Sequence, residues 1–593
     1  MSAYTYPGVY IEELSSGVHT IAGVATSIAA FVGWAPQGPV TEAVMVESWP
    51  QYQAIYGGMV PGVYLGYAVY QFFLNGGSQA YIVRLVDTGA DTASGTVGGL
   101  TFYANNPGAW GNKVCVSITN VTTSGGVTTF NLQVSMLNSS GTPTPVESYT
   151  NLSTSPTSPG YAVTVIDSDS SYISFTSPTG VTPSSISVSG ATASVFIIAG
   201  AQTSSTAFTA GETVTQTGTS ASATLLGEVG SSYLVLSGAI TGGTANGSGV
   251  WTGGTSGATF SPTTAPAAST STPISLGTTG TTGADGNTLL PNTTAFNTPL
   301  TSSTSGYALL DSVAFNLLCV PGENDAAIVG GMQKFCHDKR AFLIVDSAQT
   351  AAVGTGSSGL SHTGPADSSN NLLSGGQYAI NSAFYFPWVS APDPQIGFRP
   401  TLFPPCGFVA GIYASTDASR GVWKAPAGVD SGLTGALGLQ YVLTDLQNGS
   451  LNILAVNCLR QFPIYNEVVW GARTMAGADA VGSEWKYVPI RRLALFLESS
   501  LYAGTQWVVF EPNDEPLWSQ IRLNVGAFMQ DLFLKGAFQG TTPQQAYFVK
   551  CDSSNNPQSS IDLGIVNILV GFAPLYPAEF VVIQIQQMAG QLS

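Results

Sequence analysis

Between Trp485 and Met588 the chain changes periodicity twice and then runs into a strand with no visible partner. In Ile490–Tyr502, apolar Leu493, Phe496, Leu497 and Leu501 recur at three and four residues, which predicts a helix with one buried face. Leu517, Ile521, Val525, Phe528 and Leu532 repeat the spacing, with Lys535-Gly536 as a stop signal. Ala546–Cys551 and Leu563–Phe572 read as two strands joined by the polar loop Asp552–Asp562. Beyond Pro577, Glu579–Met588 is β-rich and lies outside that completed unit. An apolar strand in that position is an edge that seeks another chain.

The opposite end has a counterpart. Thr5–Leu14 (TYPGVYIEEL) kinks at Pro7-Gly8 and then alternates Val9 and Ile11 with Tyr10 and Glu12, a strand pattern followed by the flexible Ser15-Ser16-Gly17. Pairing of such a strand within its own domain is the ordinary alternative. Thr26–Trp34 reads as a buried strand that ends in the stiff turn Gly33–Pro39. Trp49–Tyr56 and Tyr64–Leu74 read as helices, and Ala80–Val86 as a strand.

From Thr88 to about Gly306 the composition shifts: this span holds one basic residue, Lys113, and seven acidic ones. Short alternating runs at Val114–Thr119, Thr128–Leu137, Ala162–Ile166, Ser194–Ile198, Thr224–Val229 and Tyr233–Leu236 predict one or two small β domains inserted into an αβ unit. Disorder is the competing reading for such Ser/Thr/Gly-rich sequence, and it weighs most for Thr252–Ser305. The αβ pattern resumes with strand Asn316–Val320, helix Asp325–His337 and strand Ala341–Val345, a βαβ unit. Ala383–Val389 predicts a strand, Pro405–Thr416 and Gly435–Asn448 predict helices, and Leu451–Asn457 and Val468–Gly471 predict strands. The fold class expected is a multidomain α+β protein: a discontinuous α/β body, inserted all-β domains and a C-terminal α+β domain.

Charge narrows the function. Only 8% of residues are charged and the net charge is −17, against about a quarter charged in typical domains. That balance gives no electrostatic case for nucleic acid or an anionic membrane. So little charge disfavours solubility unless the chain spends its life packed in an assembly. The six cysteines are far apart with no CxxC, so they read as buried apolar residues of a reduced compartment. Met1–Tyr4 has no signal-peptide features, and the apolar runs Ile21–Trp34 and Ile565–Tyr576 are too short or broken to span a bilayer. A cytoplasm is the expected place of synthesis.

Catalytic and cofactor signals fail on context. Gly354–Gly359 spells GxGxxG, but it neither follows a strand directly nor opens a helix, so a flexible loop is the better reading. Cys336-His337-Asp338 are adjacent side chains that diverge around a helix end, where a histidine suits the helix dipole. Asp514-Glu515 read as a helix cap. No catalytic, cofactor or metal site is expected, and the protein is read as non-enzymatic.

The motif series resembles the contractile tail sheath proteins of bacteriophages and bacterial contractile injection systems. The likeness rests on Tyr6–Glu13, Gly33–Pro36 with Gly38-Pro39, Asn75–Gly77, Pro107–Asn112, Pro404–Gly428, Trp485–Thr505, Phe510–Asn513, Leu517-Trp518 and Gly536–Phe538. It covers about 1–112 and 306–593. The resemblance implies that both terminal arms add strands to neighbouring subunits. The donated arm residues would be Tyr6, Val9, Tyr10, Ile11 and Glu12 at one end and Phe580, Val582, Ile583 and Ile585 at the other. The acceptor sheet would present Tyr547, Val549, Ile565, Ile568 and Val570. Joints at Ser15–Gly17 and Ala573–Pro577 would let subunit bodies rotate.

The same resemblance divides the chain into an arm (1–23), a body in two parts (24–87 and 306–483), an outer insert (88–305), a tube-facing domain (484–576) and a second arm (577–593). Arg491, Arg492, Arg522 and Lys535 are candidate polar contacts to the tube; for each, an ordinary solvated or intradomain charge is the alternative. Partners implied are further copies of the chain, an inner tail tube protein, and baseplate and terminator or cap proteins, with neither nucleic acid nor membrane insertion. No cofactor is implied. Two rival readings are a capsid or surface-layer protein with exchanged arms and a secreted β-rich enzyme or adhesin, which would need a signal peptide and a site that the sequence does not show.

Overall fold

The computed structural model describes residues 19–188, 195–229, 231–237, 240–268, 273–354, 359–360 and 376–584. They form two compact units: one runs up to Phe31 and adds Ala68–Tyr81 and Ala314 onward, and the other comprises Val32–Tyr67 and Ile82–Val313.

The first unit is built on a sheet in the order β1 (Ala29–Trp34, whose first half belongs here), β2 (Leu317–Cys319), β3 (Phe342–Asp346), β4 (Ser382–Phe386), β5 (Val456–Phe462) and β6 (Asn466–Val469). The first five are parallel and β6 returns antiparallel. β2, β3 and β4 are buried at every position, the signature of a parallel sheet covered on both faces. Helix α1 (Ala326–Lys339) connects β2 to β3 as the expected βαβ crossover, capped by Asp325 accepting from Ala327 and Ile328. Helix α2 (Cys406–Arg420) carries Gly407 and Gly411 where a Cβ would lie 2.4 Å from Ala68 O and 2.8 Å from Phe72 O, so only glycine permits that backbone approach.

Two helices and a hairpin complete this unit. α3 (Val488–Gly504) and α4 (Glu515–Leu534) contribute Leu493, Leu497, Leu517, Ile521, Val525, Phe528 and Leu532 to one core, the faces their spacing predicts. Asp514 caps α4 through the Leu517 N–H, as read from the sequence.

Several elements differ from expectation. Ala383–Val389 is not one strand: it divides at Phe386-Pro387 into Ser382–Phe386 and Val389–Asp393, because proline cannot donate to a ladder. Gly435–Asn448 is not a helix. A reciprocal capping box between Thr444 and Gln447 starts the helix later, at Asp445–Asn452, and Gly438–Leu439 pairs as a short strand. That helix also takes the start of the expected strand Leu451–Asn457, which begins instead at Val456.

The second unit holds the low-charge insert. Strands Val114–Ser124, Val127–Leu137 and Pro143–Ser153 form an antiparallel meander joined by Ile274–Ser275. Six further strands close on themselves: Val195–Gln202, Tyr233–Ser237, Ser222–Val229, Thr213–Gln216, Trp251–Gly253 and Thr259–Pro262 pair in that order, and the last pairs with the first. Fully buried Trp251 and Leu225, with Ile198, Val214, Leu236 and Phe260, fill this small barrel. Closure leaves the ring with no free edge. Thr252–Ser305 is therefore largely structured, with strands at Thr259–Pro262 and Ile274–Ser275 and a helix at Thr294–Leu300. Ala162–Ile166 is the start of a helix, Ala162–Asp169, because Ala162, Val163 and Ile166 turn to the same buried side.

Arg84 organises the turn after β1. Its side chain is 1% exposed and donates to Ala35 O (2.7 Å), Gly38 O (2.8 Å), Pro107 O (2.9 Å) and Pro36 O (3.0 Å). Burial pulls the guanidinium down to about 10. A lysine has three donors on one nitrogen and cannot reach four carbonyls spread around a planar fork. Arg84→Lys is expected to lower unfolding free energy by about 2 kcal/mol through unsatisfied buried carbonyls, read from urea unfolding; an unchanged midpoint would show that the lost donors are replaced.

Candidate functional site

After α4 the chain forms a hairpin of β7 (Tyr547–Lys550) and β8 (Leu569–Phe572), paired Tyr547 to Phe572 and Lys550 to Leu569. Tyr547, Val549, Val570 and Phe572 pack on the α3–α4 core, while Phe548 and Leu569 face solvent. Among the described residues this sheet has two strands only. A lone hairpin is marginal in water, and its outer edges leave backbone donors and acceptors open.

The expected acceptor residues Tyr547, Val549 and Val570 lie on these strands, but Ile565 and Ile568 precede β8. That stretch is held as a loop: Asn567 N–H donates to Asn556 Oδ1 at 2.6 Å, and Asn555 Nδ2 donates to Asn567 O at 2.9 Å. Ile568 still packs on the core, and Ile565 is 45% exposed.

Beyond β8 the chain is tied down. Ala573 N–H donates to Ala546 O, Gln539 N–H donates to Ala573 O, and Phe538 bridges Pro574. Glu579 then meets a prepared clamp. Arg473 donates from Nε to Oε1 (2.7 Å) and from Nη2 to Oε2 (2.8 Å); Asn452 Nδ2 reaches Oε1 (2.7 Å) and Tyr487 Oη reaches Oε2 (2.9 Å). Arg473 is 1% exposed and also holds Asp479 at 3.0 Å. Burial alone would raise the Glu579 carboxyl, but Arg473 and Asn452 outweigh it and hold it below the usual range. Burial and that carboxylate together push the Tyr487 phenol up to about 12.

Past the clamp the side chains are largely exposed. Phe580, Val581, Val582 and Ile583 are 75–81% exposed and belong to no helix or strand. Four consecutive solvated apolar residues are a surface awaiting cover. The expected joint at Ala573–Pro577 is thus corrected: its start is hydrogen-bonded to the hairpin and its far side is clamped, so freedom begins after Glu579. Tyr6, Val9, Tyr10, Ile11, Glu12, the Ser15–Gly17 joint and Ile585 lie outside the described residues, as do residues 355–358 of the GxGxxG stretch.

Two of the four candidate tube contacts are corrected by burial. Arg491 is 5% exposed, with Nε donating to Asn381 Oδ1 at 3.0 Å and Nη1 to Glu498 at 3.1 Å. Arg492 is 4% exposed and paired to Asp417. Both guanidiniums are engaged inside the unit. Arg522 is partly exposed, reaching Glu515 and the Cys551 carbonyl, and Lys535 is 59% exposed beside Asp531 at 2.7 Å.

A groove of about 800 Å³ opens beside the arm root, walled by Trp423, Trp470, Tyr576 and Phe580 and edged by Arg420, Lys424 and Lys535. All six cysteines are buried free thiols. Among the described residues no group of three or more His, Cys, Asp or Glu could hold a metal ion, and no helix is long and apolar enough to cross a membrane. Sequence reasoning missed the clamp and the groove. The available signal was Glu579 itself, the last charged residue of a terminal run that is otherwise apolar or amide.

Parts of the chain match known proteins. The phage tail sheath protein central domain matches residues 302–475, and the phage tail sheath C-terminal domain matches residues 480–588. The chain is 28% identical over 161 residues, 27% of its length, to the tail sheath protein of Vibrio phage KVP40. It is 26% identical over 178 residues, 30% of its length, to a putative prophage major tail sheath protein of Pseudomonas aeruginosa. These matches span 22% and 44% of the two relatives, less than half of either. In fold it is similar to the sheath of an extracellular contractile injection system, PVC, in the contracted state (TM-score 0.50, 18% identity, 99% of each chain). The sheath tail protein of Listeria innocua is similar too (TM-score 0.53, 14% identity, 94% and 96% of the chains). Residues 302–475 and 480–588, just under half of the chain, thus match the central and C-terminal domains of phage tail sheath proteins.

Proposed function

We propose that this chain is the structural subunit of a contractile sheath, without enzymatic activity, that polymerises helically around an inner tube in an extended, metastable state. On triggering, the polymer shortens and drives the tube through a target envelope. The observation that carries the reading is the solvated apolar run Phe580–Ile583, which leaves a clamped root beside a hairpin with open edges. A strand laid against such an edge gains about 0.5–1.5 kcal/mol per backbone hydrogen bond, modest for one arm and large for a lattice of them. Contacts of this head-to-tail kind propagate as an open helix.

In this reading Tyr6–Glu12 and Phe580–Ile585 are the donated strands, β7 and β8 accept them, and the bodies rotate while the strand mesh holds. Residues 1–23 and 577–593 act as arms, 24–87 with 306–483 as the body, 88–305 as the outer insert, and 484–576 as the tube-facing domain. Arg522 and Lys535 remain as polar contacts to the tube protein. Baseplate and cap proteins bound the polymer, and assembly takes place in a bacterial cytoplasm. Negative-stain microscopy of the purified protein tests this: striated hollow tubes are expected, whereas discrete monomers or flat arrays would overturn it in favour of another shell protein.

A further inference from the structure

The groove beside the arm root concentrates positive charge in a chain that has little. The sequence holds 16 Lys and Arg against 33 Asp and Glu, yet the groove is edged by Arg420, Lys424 and Lys535 and by one carboxylate, Glu579. That carboxylate is consumed by Arg473, Asn452 and Tyr487. Arg420, on the last turn of α2, is exposed, and its side chain makes no hydrogen bond or ion pair among the described residues. Lys424 Nζ donates to Ala425 O at 2.7 Å and Ala427 O at 3.3 Å, which leaves one of its three donors. Burial and then the neighbouring Arg420 charge pull the Lys424 ammonium below its usual range, against a weaker opposing pull from Asp430. Two like charges held side by side at the mouth of an aromatic-walled groove are stabilised by an anion placed between them.

The volume, about 800 Å³, lies within the roughly 300–1,000 Å³ of clefts that hold a ligand-sized segment. Of the chain's two arms only the N-terminal one carries side-chain carboxylates that are not already held in the Arg473 clamp. From Phe580 onward the C-terminal arm has no charged side chain, whereas the N-terminal run Val9–Ile11 leads directly into Glu12-Glu13. Resting on the sheath reading above, we propose that this groove seats the acidic end of a second copy's N-terminal arm, with Glu12 and Glu13 meeting Arg420 and Lys424. The apolar half of the same arm then meets the edge of the hairpin, so backbone pairing supplies adhesion and the charges fix the register. A strand slipped by one residue would reverse which side chains face the core, and an acidic pair anchored at one end forbids that slip.

The test uses full-length chains. R420E/K424E and E12K/E13K are each expected to need on the order of tenfold more protein to form tubes, with thermal unfolding unchanged. Mixed one to one, they should form tubes at the wild-type concentration, because each arm then finds a groove of opposite sign. If R420E/K424E melts lower, R420Q/K424Q with the E12Q/E13Q chain as its companion keeps the question open to an answer: either neutral pair alone should raise the required concentration without a melting shift. Either reversed variant assembling like wild type would overturn the proposal. So would a mixture no better than its components, or rescue in the quadruple variant but not in the mixture, which would mean the arm seats in its own chain. If deletion of Met1–Leu14 leaves normal tubes, arm exchange itself fails; if the deletion blocks tubes while the mixture fails to rescue, only the groove assignment fails.

Discussion

Asp417→Ala is expected to cost the fold about 3–5 kcal/mol, the range for removing one partner of a buried ion pair. Asp417 lies on α2 and Arg492 on α3, with side chains 4% and 3% exposed. Arg492 Nη1 donates to Asp417 Oδ1 at 2.9 Å, and Nη2 donates to Oδ2 and to Thr26 O. The guanidinium lies 4.6 Å from the Tyr413 ring centre, and Tyr413 Oη is 2.7 Å from Tyr385 Oη. Without Asp417 a guanidinium stays buried with one carbonyl and a ring face, and no counter-charge. Replacing both partners with apolar residues of similar size should cost much less than the single change, because no orphan charge remains. Guanidinium unfolding of the two variants checks this; equal losses, or a single loss near zero, would show that water reaches the pair.

A chain ended after Glu579 is expected to unfold like the full-length protein and to form no tubes at any concentration that suffices for wild type. The arm beyond the clamp is 75–81% exposed at Phe580–Ile583, so the described part of it contributes little to the subunit's own core. Glu579→Ala should behave in the opposite sense. It keeps the arm but leaves Arg473 with only Asp479 as an acidic partner, and subunit stability should fall by about 1–3 kcal/mol. Calorimetry and microscopy on the pair separate adhesion from anchorage. Tubes from the truncated chain would sink the exchanged-strand reading.

Much of this was legible in the sequence because long periodic helices and uninterrupted buried strands speak through spacing alone. The stripes of α3 and α4, the βαβ at Leu317–Asp346 and the hairpin positions Tyr547, Val549 and Val570 all follow from period. What escaped depended on partners distant in the chain. Arg491 and Arg492 look like surface cations until Asn381, Glu498 and Asp417 arrive to bury them. The Glu579 clamp joins residues 106 positions apart, and no local pattern marks Arg473 as its receiver. Three of the ring's six strands, Thr213–Gln216, Trp251–Gly253 and Thr259–Pro262, are only three or four residues long and carry no readable alternation; ring closure, which makes each one an interior strand, is a property of the set. Thr444 and Gln447 also set a helix start that hydrophobic spacing misplaced.

The clamp determines where a load would go. Glu579 lies in the stretch matched to the C-terminal sheath domain, but Arg473 and Asn452 lie in the stretch matched to the central domain. A pull on the arm therefore passes around the α3–α4 bundle and arrives beside β5, in a sheet buried on both faces. Force would enter, at a single carboxylate, a sheet whose inner strands are buried at every position. Little of any displacement at one knot would be absorbed before it reached the next.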